Sequence, residues 1–149
     1  MADIRTIFID FQRGAEWLLD APGLATDEGL DTAVILSLFT DARAQPDDVT
    51  PAPDDKRGWW GDAFAAPAAD RFGSRLWLLG RRKQLPSVLA EARGYAEEAL
   101  AWLIADGIAS RVEVDAFIPR PETLGLTIAI TRPNGEPVRY RFEALWSAL

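Results

Sequence analysis

The stretch that determines the fold class lies near the C-terminus and reads Leu124-Gly125-Leu126-Thr127-Ile128-Ala129-Ile130-Thr131. Apolar side chains alternate in it with small or polar ones, which is the period of a β-strand with one buried face. The same alternation precedes it in residues 111–118 and follows it in residues 138–143. Asn134-Gly135, just before the last segment, is typical of a tight hairpin. The sequence therefore predicts a three-stranded antiparallel meander with one apolar and one polar face.

The longest predicted helix precedes this meander and covers residues 86–105. Pro86 suits the first helical position, and Gly107 suits the left-handed residue that ends a helix. The apolar positions form two neighbouring stripes, so we expect the helix to be covered on more than one side. Only a narrow face is expected to be fully exposed: Ser87, Glu91, Gly94 and Glu98.

Two more helices are predicted upstream. One covers residues 28–42, with Thr26 or Asp27 as its N-cap and acidic residues in its first turn. The other is short, begins near Ser74 and ends at Gly80. The longer of the two carries an apolar stripe that can pack against the sheet.

The N-terminus predicts a β-hairpin. Its strands are Ile4–Phe11 and Ala15–Asp20, and the turn is Gln12-Arg13-Gly14. The predicted fold class is therefore α+β, in a single domain over residues 1–149. In that fold, an N-terminal hairpin and two main helices pack on a C-terminal three-stranded antiparallel sheet.

Residues 44–70 change in character and predict a long, acidic, proline-rich loop. We expect its acidic part, residues 47–56, to be mobile in the free chain. Trp59 and Trp60 lie in the same loop, although each tryptophan gains from burial. Two interpretations remain open for this pair: a plug in the protein's own core, or an anchor for a partner.

The other four tryptophans divide by position. Trp17, Trp77 and Trp102 occupy apolar positions of predicted elements, so we expect them in the core. Trp146 lies near the C-terminus, outside the predicted elements.

Composition limits the possible functions. The 149 residues include no cysteine and no histidine, which excludes disulfides, zinc–thiolate sites and Ser-His-Asp catalysis. The net charge is −7, with −9 in residues 1–70 and +2 in residues 71–149. A net-acidic chain is poorly suited to sequence-independent nucleic-acid binding. No apolar run has the length of a membrane span, and we expect the protein to remain in a cytoplasm.

Catalysis and metal binding have weak candidates. Glu113 and Asp115 lie on one face of a predicted strand, where two carboxylates could in principle serve a glycosidase. The aspartates at 47–48 and 54–55 could hold a hard cation, but they lack the spacing of a calcium loop. We therefore predict no catalytic residues, no metal and no cofactor.

Two motifs identify a resemblance: Arg57-Gly58-Trp59-Trp60-Gly61-Asp62 and Gly73-Ser74-Arg75-Leu76-Trp77-Leu78-Leu79. With the predicted order of elements, they resemble the small baseplate protein family of Mu-like phages and prophages. That family is similar to the wedge and sheath-initiator proteins of contractile tails. Their pattern is matched here by six residues: Thr40, Arg43, Phe72, Gly73, Ser74 and Leu76. At residues 109–111 the wider pattern has Glu-Pro-Arg, and only Arg111 matches.

The resemblance implies a structural function and no enzymatic activity. The protein would join the baseplate wedge to the first sheath or tube ring, in several copies, after assembly in the host cytoplasm. Its partners would be other wedge proteins and tail sheath or tube proteins, without nucleic acid or membrane. We expect partner contacts from one set of residues: Trp59, Trp60, Arg111, Arg139 and Arg141. The alternative is an acidic binding module, such as an inhibitor or immunity protein.

Overall fold

The computed structural model describes residues 3–10, 14–20, 23–24, 26–27, 29–64 and 71–149. In chain order the strands and α-helices are β1 (Asp3–Ile4), β2 (Thr6–Asp10), β3 (Gly14–Trp17), β4 (Leu19–Asp20), β5 (Gly23–Leu24), β6 (Thr26–Asp27), α1 (Asp31–Phe39), α2 (Pro86–Leu100), α3 (Trp102–Ala105), β7 (Arg111–Phe117), β8 (Thr123–Thr131) and β9 (Pro137–Leu145). Short 3₁₀ helices occupy Trp60–Phe64, Leu76–Leu79 and Trp146–Ala148.

The C-terminal meander is confirmed. β7, β8 and β9 form one antiparallel sheet in that order, and Val114, Ile128 and Tyr140 lie side by side in the register. Leu124, Leu126, Ile128 and Ile130 of the central strand are buried. Helix α2 packs against β7, so the apolar face of the sheet forms one wall of the main core.

The long helix is confirmed, with two differences. α2 begins at Pro86 as predicted, but Ala101 separates it from the one-turn helix α3. Gly107, with φ of +72°, follows as the predicted left-handed stop. The exposed face is wider than predicted, because it also includes Ala90, Arg93 and Glu97. Glu91, predicted to be fully exposed, is partly covered.

Helix α1 is shorter than the predicted helix 28–42. Thr26 and Asp27 cannot cap it, because they belong to β6 and pair with β1. Leu30 holds the N-cap position without a side-chain hydrogen bond. The helix ends at Phe39, since Thr40 has extended backbone angles and turns the chain toward the loop.

The predicted hairpin is confirmed between β2 and β3, while its predicted turn lies mostly outside the described residues. The second strand divides into β3 and β4, and two further short pairs, β4–β5 and β1–β6, complete the segment. Phe8 connects this hairpin to the core, because its ring stacks on Phe39 at 4.8 Å between centroids. Thr32 of α1 adds backbone contacts, accepting from the Thr6 N–H and donating to the Ile4 carbonyl, each at 2.9 Å.

The predicted burial of Trp17 is wrong. Its side chain is 66% exposed, although its register partner is Thr6, on the face of the ribbon that carries Phe8. Trp77 is buried as expected, and Trp102 packs at the edge of the core. Trp146 is also buried, and its indole N–H donates to the Leu79 carbonyl at 2.8 Å.

Candidate partner-binding surfaces

The Phe72-Gly73-Ser74 motif joins the end of α1 to the following 3₁₀ turn. The Ser74 N–H donates to the Thr40 carbonyl at 2.8 Å, and the Ser74 hydroxyl donates to the Leu38 carbonyl. Gly73 has φ of +98°, and a Cβ there would lie 2.4 Å from the Thr40 oxygen. Backbone hydrogen bonding and steric limits therefore explain why Gly73 and Ser74 occur here, and the motif connects two elements of the fold.

Arg75 holds the acidic loop against helix α2. Its guanidinium contacts both carboxylate oxygens of Asp48, at 2.8 and 3.0 Å, and also Glu98. The same group lies 4.6 Å from the centroid of the Tyr95 ring. Because the Asp48 side chain is only 9% exposed in this arrangement, these contacts argue against the mobility predicted for residues 47–56.

The electrostatics of this cluster favour the charged guanidinium. Desolvation lowers the pKa of Arg75, but the hydrogen bonds that its guanidinium donates to Glu98 and Asp48 outweigh it, and the pKa of Arg75 is raised overall. Burial, followed by the nearby charge of Asp48, raises the pKa of the Tyr95 phenol. The cluster is therefore a structural ion-pair network with Tyr95 neutral near pH 7.

Arg57 fixes the far end of the same loop. It pairs with Asp41 at 2.9 Å and with Asp55 at 3.5 Å, and its guanidinium lies 4.5 Å from the Trp77 ring centroid. Gly58 follows with φ of +115°, and a Cβ there would lie 2.9 Å from the Cβ of Arg43. The Arg-Gly pair thus directs the chain into the next segment, which carries the two tryptophans.

The two tryptophans lie in an exposed aromatic patch, which we define as Trp59, Trp60, Phe64 and Phe72. Trp60 is 75% exposed and Phe64 is 79% exposed, so neither is a core plug. Trp59 is 41% exposed; its ring lies 5.2 Å from that of Phe72. Exposed aromatic clusters of this kind are typical of protein–protein interfaces.

Charged groups surround the aromatic patch. Trp59 and Trp60 line a groove of about 300 Å³, and Arg43, Arg57 and Arg71 line the same groove. Asp62 lies in the same groove, where one carboxylate oxygen accepts from the Phe72 N–H at 3.2 Å.

The three arginines predicted as partner contacts lie on two different strands of the sheet. Arg139 and Arg141 lie on β9, whereas Arg111 lies two strands away on β7. Arg111 pairs with Glu113 at 2.7 Å, and Arg141 pairs with Glu143 at 3.0 Å. All three arginines are exposed on the polar face.

Strand β9 forms an open edge of the sheet. At the two ends of its ladder with β8, the Arg132 N–H donates to the Glu136 backbone carbonyl and the Trp146 N–H donates to the Glu122 backbone carbonyl. Both pairs are even-numbered, and antiparallel residues alternate between hydrogen-bonded and non-hydrogen-bonded pairs. The odd-numbered residues 139, 141 and 143 therefore direct their backbone N–H and C=O groups away from β8.

A groove lies along this edge. It encloses about 600 Å³ and is bounded by residues 6–9 of β2 on one side and residues 138–143 of β9 on the other. The two strands are in different sheets, and each pairs elsewhere on its other side. Sequence reasoning missed this groove, because no local pattern indicates where the hairpin lies relative to β9.

The structure places the weak catalytic and metal candidates at exposed or ion-paired positions. Glu113 and Asp115 are exposed on the open face of β7. Asp48 and Asp55 are paired with arginines. In the described ranges no group of three or more acidic side chains is placed to hold a metal ion. Across those same ranges, no helix has the length and apolar character needed to cross a membrane.

Comparison with known proteins identifies the family. A family model described as phage protein GP46 matches residues 30–137, more than half of the chain, and the chain belongs to that family. The matched range contains the aromatic patch, the Phe72-Gly73-Ser74 motif and the first two strands of the sheet.

Two relatives extend the likeness over most of the chain. The protein is 46% identical over 132 residues to the baseplate protein gp46 of Escherichia phage Mu. It is 41% identical over 132 residues to the Mu-like prophage FluMu protein gp46 of Haemophilus influenzae. Each alignment covers 87% of this chain and 88% of the relative.

Proposed function

We propose that this protein is a structural component of a phage or prophage tail baseplate, which joins wedge proteins to the first sheath or tube ring. The family and the name of the phage Mu relative support the baseplate assignment. Neither relative's name supports the alternative of an acidic inhibitor or immunity protein.

The open edge of β9 is the observation that supports the joining role. Strand addition uses backbone hydrogen bonds at an unpaired sheet edge, and side chains of the receiving strands supply specificity. A strand entering the groove between β2 and β9 would meet unpaired backbone groups of residues 139, 141 and 143. Sheath subunits of contractile tails resemble one another in exchanging strands, so a sheath-type partner is the proposed donor.

The predicted contact residues have separate roles in this proposal. Arg139 and Arg141 line the β9 groove and would select the strand that enters it. Trp59 and Trp60 would anchor a second neighbour, a wedge protein, on the other surface. Arg111, at the far edge of the sheet, would contact a neighbour only if the polar face is also covered.

We also propose where the protein folds and assembles. The chain would fold in the host cytoplasm and enter the baseplate in several copies, each binding tail proteins. This arrangement requires no catalytic residue, cofactor, nucleic acid or membrane.

Proline at position 141 tests the strand-addition role. Arg141→Pro removes an N–H that points away from β8, and proline is tolerated at such edge positions. We expect normal folding but loss of tail assembly when the variant is co-expressed with the phage's sheath, tube and wedge proteins. Arg141→Ala is the matched control, because it removes the same side chain and keeps the N–H. Equal assembly by the two variants would contradict strand addition at β9.

A further inference from the structure

The aromatic patch is held in shape before any partner arrives. Asp62 accepts from the Phe72 N–H, and Arg71 donates to the Asp62 carbonyl at 3.2 Å. A Cβ on the buried Gly61 would lie 2.4 Å from the Trp59 ring, so that ring rests directly on the backbone. Because the backbone and the Trp59 ring are already held by these contacts, they lose little conformational entropy on binding, which favours a docking surface here.

The arginines beside the patch are not equivalent. Arg57 is already neutralised by Asp41 and Asp55. Within the ranges that the structure describes, neither Arg43 nor Arg71 has a carboxylate oxygen within 4.0 Å of its guanidinium. The groove beside Trp59 and Trp60 therefore offers two cations that the acids of the described residues leave unpaired.

The neighbouring acids do not compensate these two cations. Asp48 and Asp55 are held by Arg75 and Arg57 at other points of the loop. Asp62 faces the groove, but its second carboxylate oxygen is buried without a hydrogen-bond partner in the described structure. The groove is therefore lined by more cationic than anionic side chains.

We infer that the aromatic patch docks an acidic peptide segment of a partner protein, with an apolar side chain on Trp60 and Phe64 and carboxylates beside Arg43 and Arg71. Arginine and tryptophan dominate the binding energy of many interfaces, and paired carboxylates match the planar guanidinium. The inference rests on the proposed function only in treating this surface as a partner contact.

A random peptide library tests this assignment with the isolated chain. An mRNA-displayed library would be selected on the purified protein, and the enriched peptides would be sequenced. We expect peptides with two or more acidic residues around an apolar one. Trp60→Ala and the double variant Arg43→Glu with Arg71→Glu should each weaken their binding at least tenfold. The double variant Lys83→Glu with Arg93→Glu is the control, because it makes the same change in net charge away from the patch.

Three results of this selection would overturn the inference. Enrichment of basic or uncharged peptides, enrichment of none, or equal loss of binding by the control variant would overturn the inference. Circular dichroism and thermal melting show whether a variant is folded, and Arg43→Gln with Arg71→Gln supplies a milder test. The selection uses no other tail protein, so failed strand addition at β9 would leave its result unaffected.

Discussion

At the scale of single residues, backbone geometry explains why glycine occupies position 73 in one of the two motifs that carry the family resemblance. Gly73 is required because its φ is positive and the Thr40 carbonyl occupies the place of a side chain. Gly94 differs, since it lies on the exposed face of α2 with nothing within 4 Å of a Cβ. The two glycines therefore predict opposite effects of the same substitution.

Alanine at these glycines should change stability in opposite directions. Gly73→Ala should destabilise the fold by about 2–3 kcal/mol, through strain and the clash with Thr40. Gly94→Ala should stabilise it by about 0.5–1 kcal/mol through helix propensity. Urea unfolding of both variants measures the difference, and a similar effect at the two sites would contradict the assigned geometry.

Tryptophan substitutions test which rings belong to the core. Trp60→Ala should change the free energy of unfolding by less than about 0.5 kcal/mol, because the ring is mostly exposed. Trp146→Ala should cost about 3–5 kcal/mol, because it leaves a cavity and frees the Leu79 carbonyl. Thermal melting and a tail-assembly assay should show Trp60→Ala stable but defective in assembly. A large loss of stability in Trp60→Ala would show that this ring packs in the core, against the assigned exposure.

At the scale of elements, long-range ion pairs determine what a proline-rich loop does. Arg75 joins Asp48 of the loop to Glu98 of α2. These residues are far apart in sequence, and no periodicity marks them. The sequence therefore predicted the loop's length and acidity but not its attachment.

Removing the Asp48 charge should loosen this loop. The side chain of Arg75 is only 14% exposed, and Asp48→Asn removes one of its two carboxylate partners. We expect the free energy of unfolding to fall by about 1–3 kcal/mol. We expect amide exchange in residues 45–56 to accelerate at least tenfold, including the Gln45 N–H, which donates to Asp48 at 2.7 Å. Asp54→Asn, at an exposed position of the same loop, is the control and should leave exchange unchanged. Unchanged exchange in Asp48→Asn would show that Arg75 does not hold the loop.

Strands and helices were predictable where a period extends over many residues. The alternation in β8 and the stripes of α2 fixed both elements, since burial on one face imposes these periods. The start of α1 was not predictable in this way. Leu30 gives no capping signal, while Thr26 looks like a cap but pairs in β6. Pairing with a distant strand overrode the local preference.

At the scale of the whole molecule, the relative placement of elements creates the candidate surfaces. Trp59 and Trp60 stand out in the sequence because they lie in a proline-rich loop, and their exposure agrees with a partner surface. The groove between β2 and β9 depends on how Phe8 fixes the hairpin against Phe142, at 6.0 Å between ring centroids. Contacts between residues so distant in the chain leave no pattern in a single sequence.

Electron cryomicroscopy of the assembled tail would show whether a partner strand pairs with β9. We expect this chain at the junction between the wedge and the first sheath ring. We also expect a partner strand paired along residues 137–145 of β9, within the groove that faces β2. A baseplate in which β9 keeps an open, solvent-exposed edge, or in which the chain lies away from that junction, would contradict the proposal.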